Sequence, residues 1–255
     1  MDRSTDRSSI IDPSIGVLAA RIRAAERLTI LTGAGVSAAS GVPTFRGADG
    51  LWRQHRPEDL ATPEAFERDP RLVWEWYAWR REKIAACRPN AAHDVIAAWS
   101  RRPGCRVVTQ NVDDLHVRAG TSALVRLHGS IWELSCWNRC AAQPTPWRDE
   151  RVPLPDGVPG CPQCGGLARP AVVWFGEPLR AADVDAALEA TACDVFLTVG
   201  TSAVVYPAAG LVHDARRRGA FTAEINLETT PASSAVDVAI HGGAEAVLPQ
   251  LAELL

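Results

Sequence analysis

Apolar and polar positions fall in blocks along this chain, and the blocks switch between helical and strand periods. Asp12-Pro13 sets a capping carboxylate before a proline at the first helical position, which predicts a helix to about Arg27. Leu28 to Thr32 then reads as a short apolar strand, and the turn Gly33-Ala34-Gly35-Val36-Ser37 opens a short helix through Ser40. After Gly41 the periodicity breaks, with Pro43, Gly47, Gly50, Pro57 and Pro63 close together. Asp69-Pro70 repeats the capping signal and predicts a long helix through Ala86. A helix near 91–100, a strand Arg106–Thr109, a helix from Asp113 and a strand Leu124–Leu127 continue the alternation. Residues 131 to about 170 hold few apolar periods. Helix, strand, helix and strand resume at roughly 181–191, 194–199, 207–218 and 221–226.

Strands alternating with helices on both sides of an aperiodic stretch predict an α/β fold, a doubly wound Rossmann-like parallel sheet. The expected division assigns residues 1–42, 86–130 and 173–255 to that sheet domain. A smaller lobe would combine a helical insertion, 43–85, with a cysteine-bearing module, 131–172. The length of 255 residues suits one large domain with insertions. A net charge of -3 and a pI near 6.1 give no global attraction to nucleic acid or to an anionic membrane. Val195 to Val212 carries no charge for 18 residues, but Gly200-Thr201-Ser202 and Pro207 interrupt it, so it reads as a buried strand, a turn and a helix start. The polar, mixed-charge first dozen residues lack an apolar signal region, and a cytoplasmic protein is expected. Arg216-Arg217-Arg218 is expected to end a helix, where cations suit the dipole.

Seven cysteines without a secretory context argue against a disulfide framework, and Cys87, Cys105 and Cys193 read as small buried hydrophobes. The other four are different. Cys136 and Cys140 are spaced C-x3-C and Cys161 and Cys164 C-x2-C across a 20-residue gap, two knuckles that can close a tetrahedral thiolate site for one structural Zn²⁺. Unrelated thiols or an iron–sulfur cluster are the alternatives. Gly33-x-Gly35-x-x-Ala38 after a strand fits a dinucleotide fingerprint, its glycines letting backbone approach a pyrophosphate. The acidic residue expected about twenty positions later is missing, which disfavours a hydride-transfer dehydrogenase. Gln110-Asn111-Val112-Asp113 ends a strand where ligands of open sheets collect, although Asp113 could equally cap a helix. His128 follows another strand as either a structural residue or a general base near neutral pH.

In family order, these motifs together with Gly41-Val42-Pro43-Thr44-Phe45-Arg46-Gly47, Leu127-His128-Gly129, Val172-Val173-Trp174-Phe175-Gly176-Glu177, Gly200-Thr201-Ser202 and Asn226-Leu227-Glu228 resemble the sirtuins, the Sir2 family of NAD-dependent protein lysine deacylases. The resemblance runs from about residue 28 to 250 and makes 131–172 a zinc-binding module. It implies that NAD is a consumed co-substrate held by Gly33, Ala34, Gly35, Ser37, Thr44, Phe45, Arg46, Trp52, Gln110, Asn111, Val112, Asp113, Gly200, Thr201, Ser202, Asn226, Leu227, Glu228 and Ala244. Asn111 and Asp113 would line the nicotinamide pocket, and His128 with Asn111 would be catalytic. The acyl oxygen of a modified lysine would displace nicotinamide, and His128 would free a ribose hydroxyl to take the acyl group. Val173, Phe175, Gly176 and Glu177 would pair with an acyl-lysine protein substrate, strand to strand.

Tyr77 and Arg80 share a helix face at i and i+3 and can receive a carboxylate, unless Trp74, Tyr77 and Ile84 are simply a core stripe. The resemblance places this Tyr-x-x-Arg in the desuccinylase and demalonylase branch, with Ala61 leaving room for the longer acyl group. Two departures stand out: Ala171 where the family often has His, and the three-residue spacing of the first cysteine pair. A deacetylase, an ADP-ribosyl transferase and a silent NAD or ADP-ribose sensor are the alternatives, and a zinc-ribbon DNA binder is disfavoured by charge.

Overall fold

A computed structural model describes residues 12–43, 56–155 and 157–255. Thr44, Phe45, Arg46 and Trp52 lie outside these residues. The first helix, α1 (Pro13–Ala24), is capped as expected, with the Asp12 carboxylate accepting from the Ser14 N–H at 2.9 Å. It stops short of Arg27 because Asp194 accepts from the backbone N–H groups of Glu26 and Arg27, drawing the chain out straight into the first strand.

That strand, β1 (Leu28–Thr32), pairs in parallel with β2 (Cys105–Thr109) on one side and β7 (Val195–Val199) on the other. Beyond β2 lies β3 (Leu124–Arg126); beyond β7 lie β8 (Phe221–Asn226) and β9 (Val238–His241). Among the described residues the spatial order is β3-β2-β1-β7-β8-β9, the doubly wound order that reverses between β1 and β7. Successive side chains of each strand feed opposite faces. Ile30, Val107, Leu197 and Ile225 pack against α1, α5 (Ala91–Trp99) and α9 (Ala244–Glu253). Leu31, Val108 and Phe196 pack against α7 (Ala181–Ala190) and α8 (Leu211–Arg217). The arginine run closes α8, and a 3-10 turn, Ala208–Gly210, leads into it. The uncharged stretch is thus strand, turn and helix start, and no described helix is long and apolar enough to cross a membrane.

The smaller lobe has its own core. Three helices, α2 (Pro57–Leu60), α3 (Pro63–Arg68) and α4 (Pro70–Ala86), pack on a second sheet. This sheet is antiparallel, with β5 (Trp147–Arg148), β4 (Gly129–Cys136) and β6 (Ala168–Val172) in the order β5-β4-β6. Residues 131–170 therefore hold regular structure that apolar periodicity does not reveal. The strands are short, and a register shift between Gly129 and Leu134 breaks the alternation. The lobe is bolted across by Arg81, which is buried, reaches the Ile131 carbonyl through Nε at 2.8 Å and pairs with buried Asp149 at 3.1 Å.

Candidate functional site

A cleft of about 790 Å³ opens where the strand order reverses, lined from both lobes. Its floor is set by two turns in contact. Gly33 follows β1 and Gly200 follows β7, and a Cβ on Gly33 would stand 2.8 Å from the Gly200 oxygen. One on Gly35 would stand 2.8 Å from Gly200 Cα, and Gly35 N–H donates to the Gly200 carbonyl at 2.8 Å. The glycines are thus required first by the neighbouring turn, and the chain continues as a 3-10 helix, Ala34–Ser40, where the sequence suggested only a short helix.

Gln110, Asn111 and Val112 leave β2 into the cleft. Asn111 is fixed through Nδ2, which donates to the Gly33 carbonyl at 3.1 Å and to Ser37 Oγ at 3.2 Å. Ser37 in turn donates to Asp113 Oδ2 at 2.8 Å, and Asp113 Oδ1 accepts from Leu115 N–H at 2.9 Å. This two-residue turn leads into the short helix α6 (Leu115–Arg118), whose N-cap residue Asp114 takes a left-handed φ of 62° and makes no side-chain cap bond. Ser37 and Asp113 stand behind the cleft wall. Burial raises the Asp113 carboxyl above its usual range against the opposing Leu115 and Ser37 hydrogen bonds.

Two histidines that sequence reasoning passed over complete this wall. His116 Nε2 meets Thr32 Oγ1 at 2.9 Å, and His93 Nε2 approaches Ser37 Oγ at 3.4 Å. Burial holds them down to about 3 and about 4 respectively, so both are neutral. His116 lies three residues beyond the motif that ends at Asp113, and nothing in its spacing signals a partner across the sheet.

His128 lines the cleft from the end of β3. Its Nδ1 lies 2.9 Å from the Gln110 carbonyl oxygen, which can only accept, so the proton sits on Nδ1 and Nε2 keeps its lone pair. Burial lowers its pKa below 6.5 despite that hydrogen bond, leaving a neutral imidazole at neutral pH.

At the far end of the cleft, Ala61, Trp76, Tyr77 and Arg80 stand together. Tyr77 is 2% exposed and Arg80 is 5% exposed. The Arg80 guanidinium lies over the Trp76 ring, 4.9 Å from its centroid, and 5.8 Å from that of Tyr77. Trp74 points instead into the lobe core, donating to the Ala168 carbonyl at 2.9 Å. Burial raises the Tyr77 phenol and lowers the Arg80 guanidinium.

The stretch 173–177 is extended and then turns, and it is not a strand. Val173 N–H donates to the His128 carbonyl at 3.0 Å, and Phe175 N–H donates to the Ala61 carbonyl at 2.9 Å. Glu177 accepts from Trp174 N–H and pairs with Arg169. Among the described residues nothing accepts from Gly176 N–H. On the opposite rim Asn226 donates to the Thr201 carbonyl at 2.8 Å, with Leu227 and Glu228 beside it. Ala244 starts α9 in the apolar core and does not line the cleft. Tyr206, 74% exposed, forms part of the rim that the sequence reading did not assign.

The four cysteine Sγ atoms all lie within 4.8 Å of one another. Sγ separations are 3.6 Å for Cys136–Cys164 and 3.8 Å for Cys140–Cys161. Four thiolates about 2.3 Å from a tetrahedral zinc stand roughly 3.8 Å apart, so this donor set fits Zn²⁺. Burial acts to raise the Cys161 thiol, but hydrogen bonds from the Cys164 and Gln163 backbone N–H groups and from the Cys136 and Cys164 thiols together bring it down to about 7. Cys87, Cys105 and Cys193 are buried away from this cluster.

A doubly wound sheet, a cleft at its switch point and a four-cysteine knot in the smaller lobe define a nucleotide-binding protein with a structural metal. The Sir2 family model matches residues 33–207, and the chain belongs to that family. It is 51% identical over 226 residues to NAD-dependent protein deacylase 2 of Pyrobaculum aerophilum, covering 88% of this chain and 89% of that one. It is 48% identical over 213 residues to the NAD-dependent protein deacylase of Aquifex aeolicus, covering 83% and 87%. A solved Sir2 homologue in complex with NAD superposes with a TM-score of 0.87 at 44% identity, covering 93% of this chain and 92% of that one.

Proposed function

We propose that this chain removes acidic acyl groups, succinyl and malonyl, from protein lysines, and acetyl groups more weakly. The coarser statement rests on family membership: the chain is an NAD-dependent protein deacylase. The finer one rests on a single observation, the buried pair Tyr77 and Arg80 side by side in the cleft with small Ala61 next to them. A guanidinium engages both oxygens of a carboxylate, and the phenol adds a third donor. An acetyl group offers neither of them an anion.

In this reading NAD is held along Gly33, Ala34, Gly35, Gln110, Asn111, Val112, Gly200, Thr201, Ser202, Asn226, Leu227 and Glu228, with Ser37 and Asp113 bracing Asn111 from behind. Bound NAD supplies the ribose carbon that releases nicotinamide and the hydroxyl that takes the acyl group. His128 accepts that hydroxyl's proton at Nε2, its tautomer set by the Gln110 carbonyl. The peptide lies along 173–177 by main-chain pairing, where Gly176 offers its N–H while Val173 and Phe175 are held by the protein itself. Seven cysteines with no disulfide, four of them poised as zinc ligands, suit a reducing cytoplasm.

The test is nicotinamide release with NAD and matched peptides bearing succinyl-, malonyl- or acetyl-lysine. Charge-assisted hydrogen bonds of about 1.5–3 kcal/mol predict a preference of roughly tenfold to a hundredfold for the acidic acyls. Arg80→Met should raise KM for succinyl-lysine far more than for acetyl-lysine. A wild-type preference for acetyl-lysine would reduce the pair to packing.

A further inference from the structure

The Trp174 side chain has no part in the activity above, yet its indole N–H ends on a residue that does. Nε1 lies 2.9 Å from the Tyr77 hydroxyl oxygen, and both side chains are buried. An indole N–H can only donate, so the phenol oxygen is the acceptor. Burial keeps the phenol protonated. With an oxygen lone pair engaged from the Trp174 side, the phenol proton is turned away from the indole and left for an acceptor in the cleft.

The indole is held from three directions. The Arg169 guanidinium stacks on it, 3.5 Å from the ring centroid, and Phe66 packs against it at 5.4 Å. Its backbone N–H donates to Glu177 Oε2 at 2.9 Å, and Glu177 is paired with the same Arg169. On either side Val173 and Phe175 are bonded to His128 and Ala61. Phenylalanine would keep an aromatic ring at this place, smaller than the indole, but no N–H, and the partner of that N–H is Tyr77.

We propose that Trp174 is a specificity-determining positioning residue, whose indole N–H orients the Tyr77 hydroxyl as a donor to the carboxylate of an acidic acyl group. The proposal rests on the acidic-acyl reading above. It also joins the stretch 173–177 to the acyl end: Glu177, Arg169, Trp174 and Tyr77 form one connected chain of contacts, from the backbone that faces the peptide to the group that faces the acyl tail.

The experiment compares wild type, Trp174→Phe, Tyr77→Phe and the double variant on succinyl- and acetyl-lysine peptides, with kcat and KM separated. Trp174→Phe is expected to lower the succinyl-to-acetyl ratio of kcat/KM about tenfold, mainly through KM for the succinyl peptide. Tyr77→Phe should lower the ratio at least as far, and the double variant should be no worse than Tyr77→Phe alone, because both remove one device. If Trp174→Phe keeps the wild-type ratio, or depresses both substrates equally, or adds its full effect to Tyr77→Phe, the positioning role is overturned while the acidic-acyl reading stands. If wild type shows no preference for the succinyl peptide, the reading itself falls and this proposal falls with it.

Discussion

In the proposed reaction His128 takes the ribose hydroxyl's proton, and its surroundings dictate how it responds to pH. The ring is neutral with Nδ1–H engaged by the Gln110 carbonyl, and burial lowers its pKa below the usual 6.5. A base acts while unprotonated, so a lowered pKa extends activity toward acid. The acid limb of the kcat/KM profile should therefore be centred below 6.5. An acid limb centred above 6.5 would contradict the geometry. His128→Ala should reduce kcat by about 10²–10⁴-fold while NAD still binds, as read by titration calorimetry. Unchanged turnover would remove it from the reaction. His93 and His116 respond differently, since at about 4 and about 3 they stay neutral well below 6.5.

The loop between β2 and α6 shows how elements of different lobes are joined. Asp114 is buried with a left-handed φ of 62°, directly after Asp113. Its carboxylate accepts from Ser130 Oγ at 2.8 Å and from Arg126 at 3.4 Å, and it also pairs with Arg148 of β5. Two variants separate the backbone from the charge. Asp114→Ala loses the carboxylate and keeps the unfavourable φ; Asp114→Gly loses the carboxylate and suits that φ. Both should be less stable than wild type by about 1–3 kcal/mol, with Gly above Ala by about 1 kcal/mol in denaturant unfolding. Equal stability of the two variants would mean that the backbone relaxes once the carboxylate is gone. Nothing at Asp114 announces this in the sequence. The parallel sheet was legible because β1, β2 and β7 are short, mostly apolar runs between helical patterns, and the cysteine knuckles were legible from spacing alone. Hidden were β4, β5 and β6, whose register shift blurs alternation, and β9 and α9, a half-buried edge strand and a helix containing Pro249. In the cleft the motifs marked Gly33, Asn111, His128 and Gly200. The meetings of His93 with Ser37 and of Trp174 with Tyr77 join residues distant in the chain, which spacing does not encode.

At the scale of the whole molecule, the two lobes differ in what holds them. The six-stranded sheet is packed on both faces by helices, and among the described residues the cysteine cluster lies outside its cores. The smaller lobe adds the cysteine knot to an apolar core of its own. Cys136 ends β4, Trp137 follows it and packs against Phe66 at 4.9 Å, and Phe66 leads on to Trp174. At its base the hairpin carrying Cys161 and Cys164 is tied to β4 by the Trp137 N–H to Leu167 carbonyl bond and the Cys136–Ala168 pairing, but without a cation the four thiols beyond that base are not gathered into one small volume. Chelating the metal, or making Cys161→Ser, should therefore loosen the smaller lobe while the large sheet persists. Tryptophan fluorescence should shift as Trp137 and Trp174 reach water, and far-UV circular dichroism should fall only in part. Turnover should drop to background although no cysteine touches substrate, because Tyr77, Arg80 and the stretch 173–177 are positioned by that lobe. A zinc-free protein that retained native fluorescence and full turnover would show the knot to be dispensable. Loss of turnover with native fluorescence would instead move the metal from the scaffold into the chemistry.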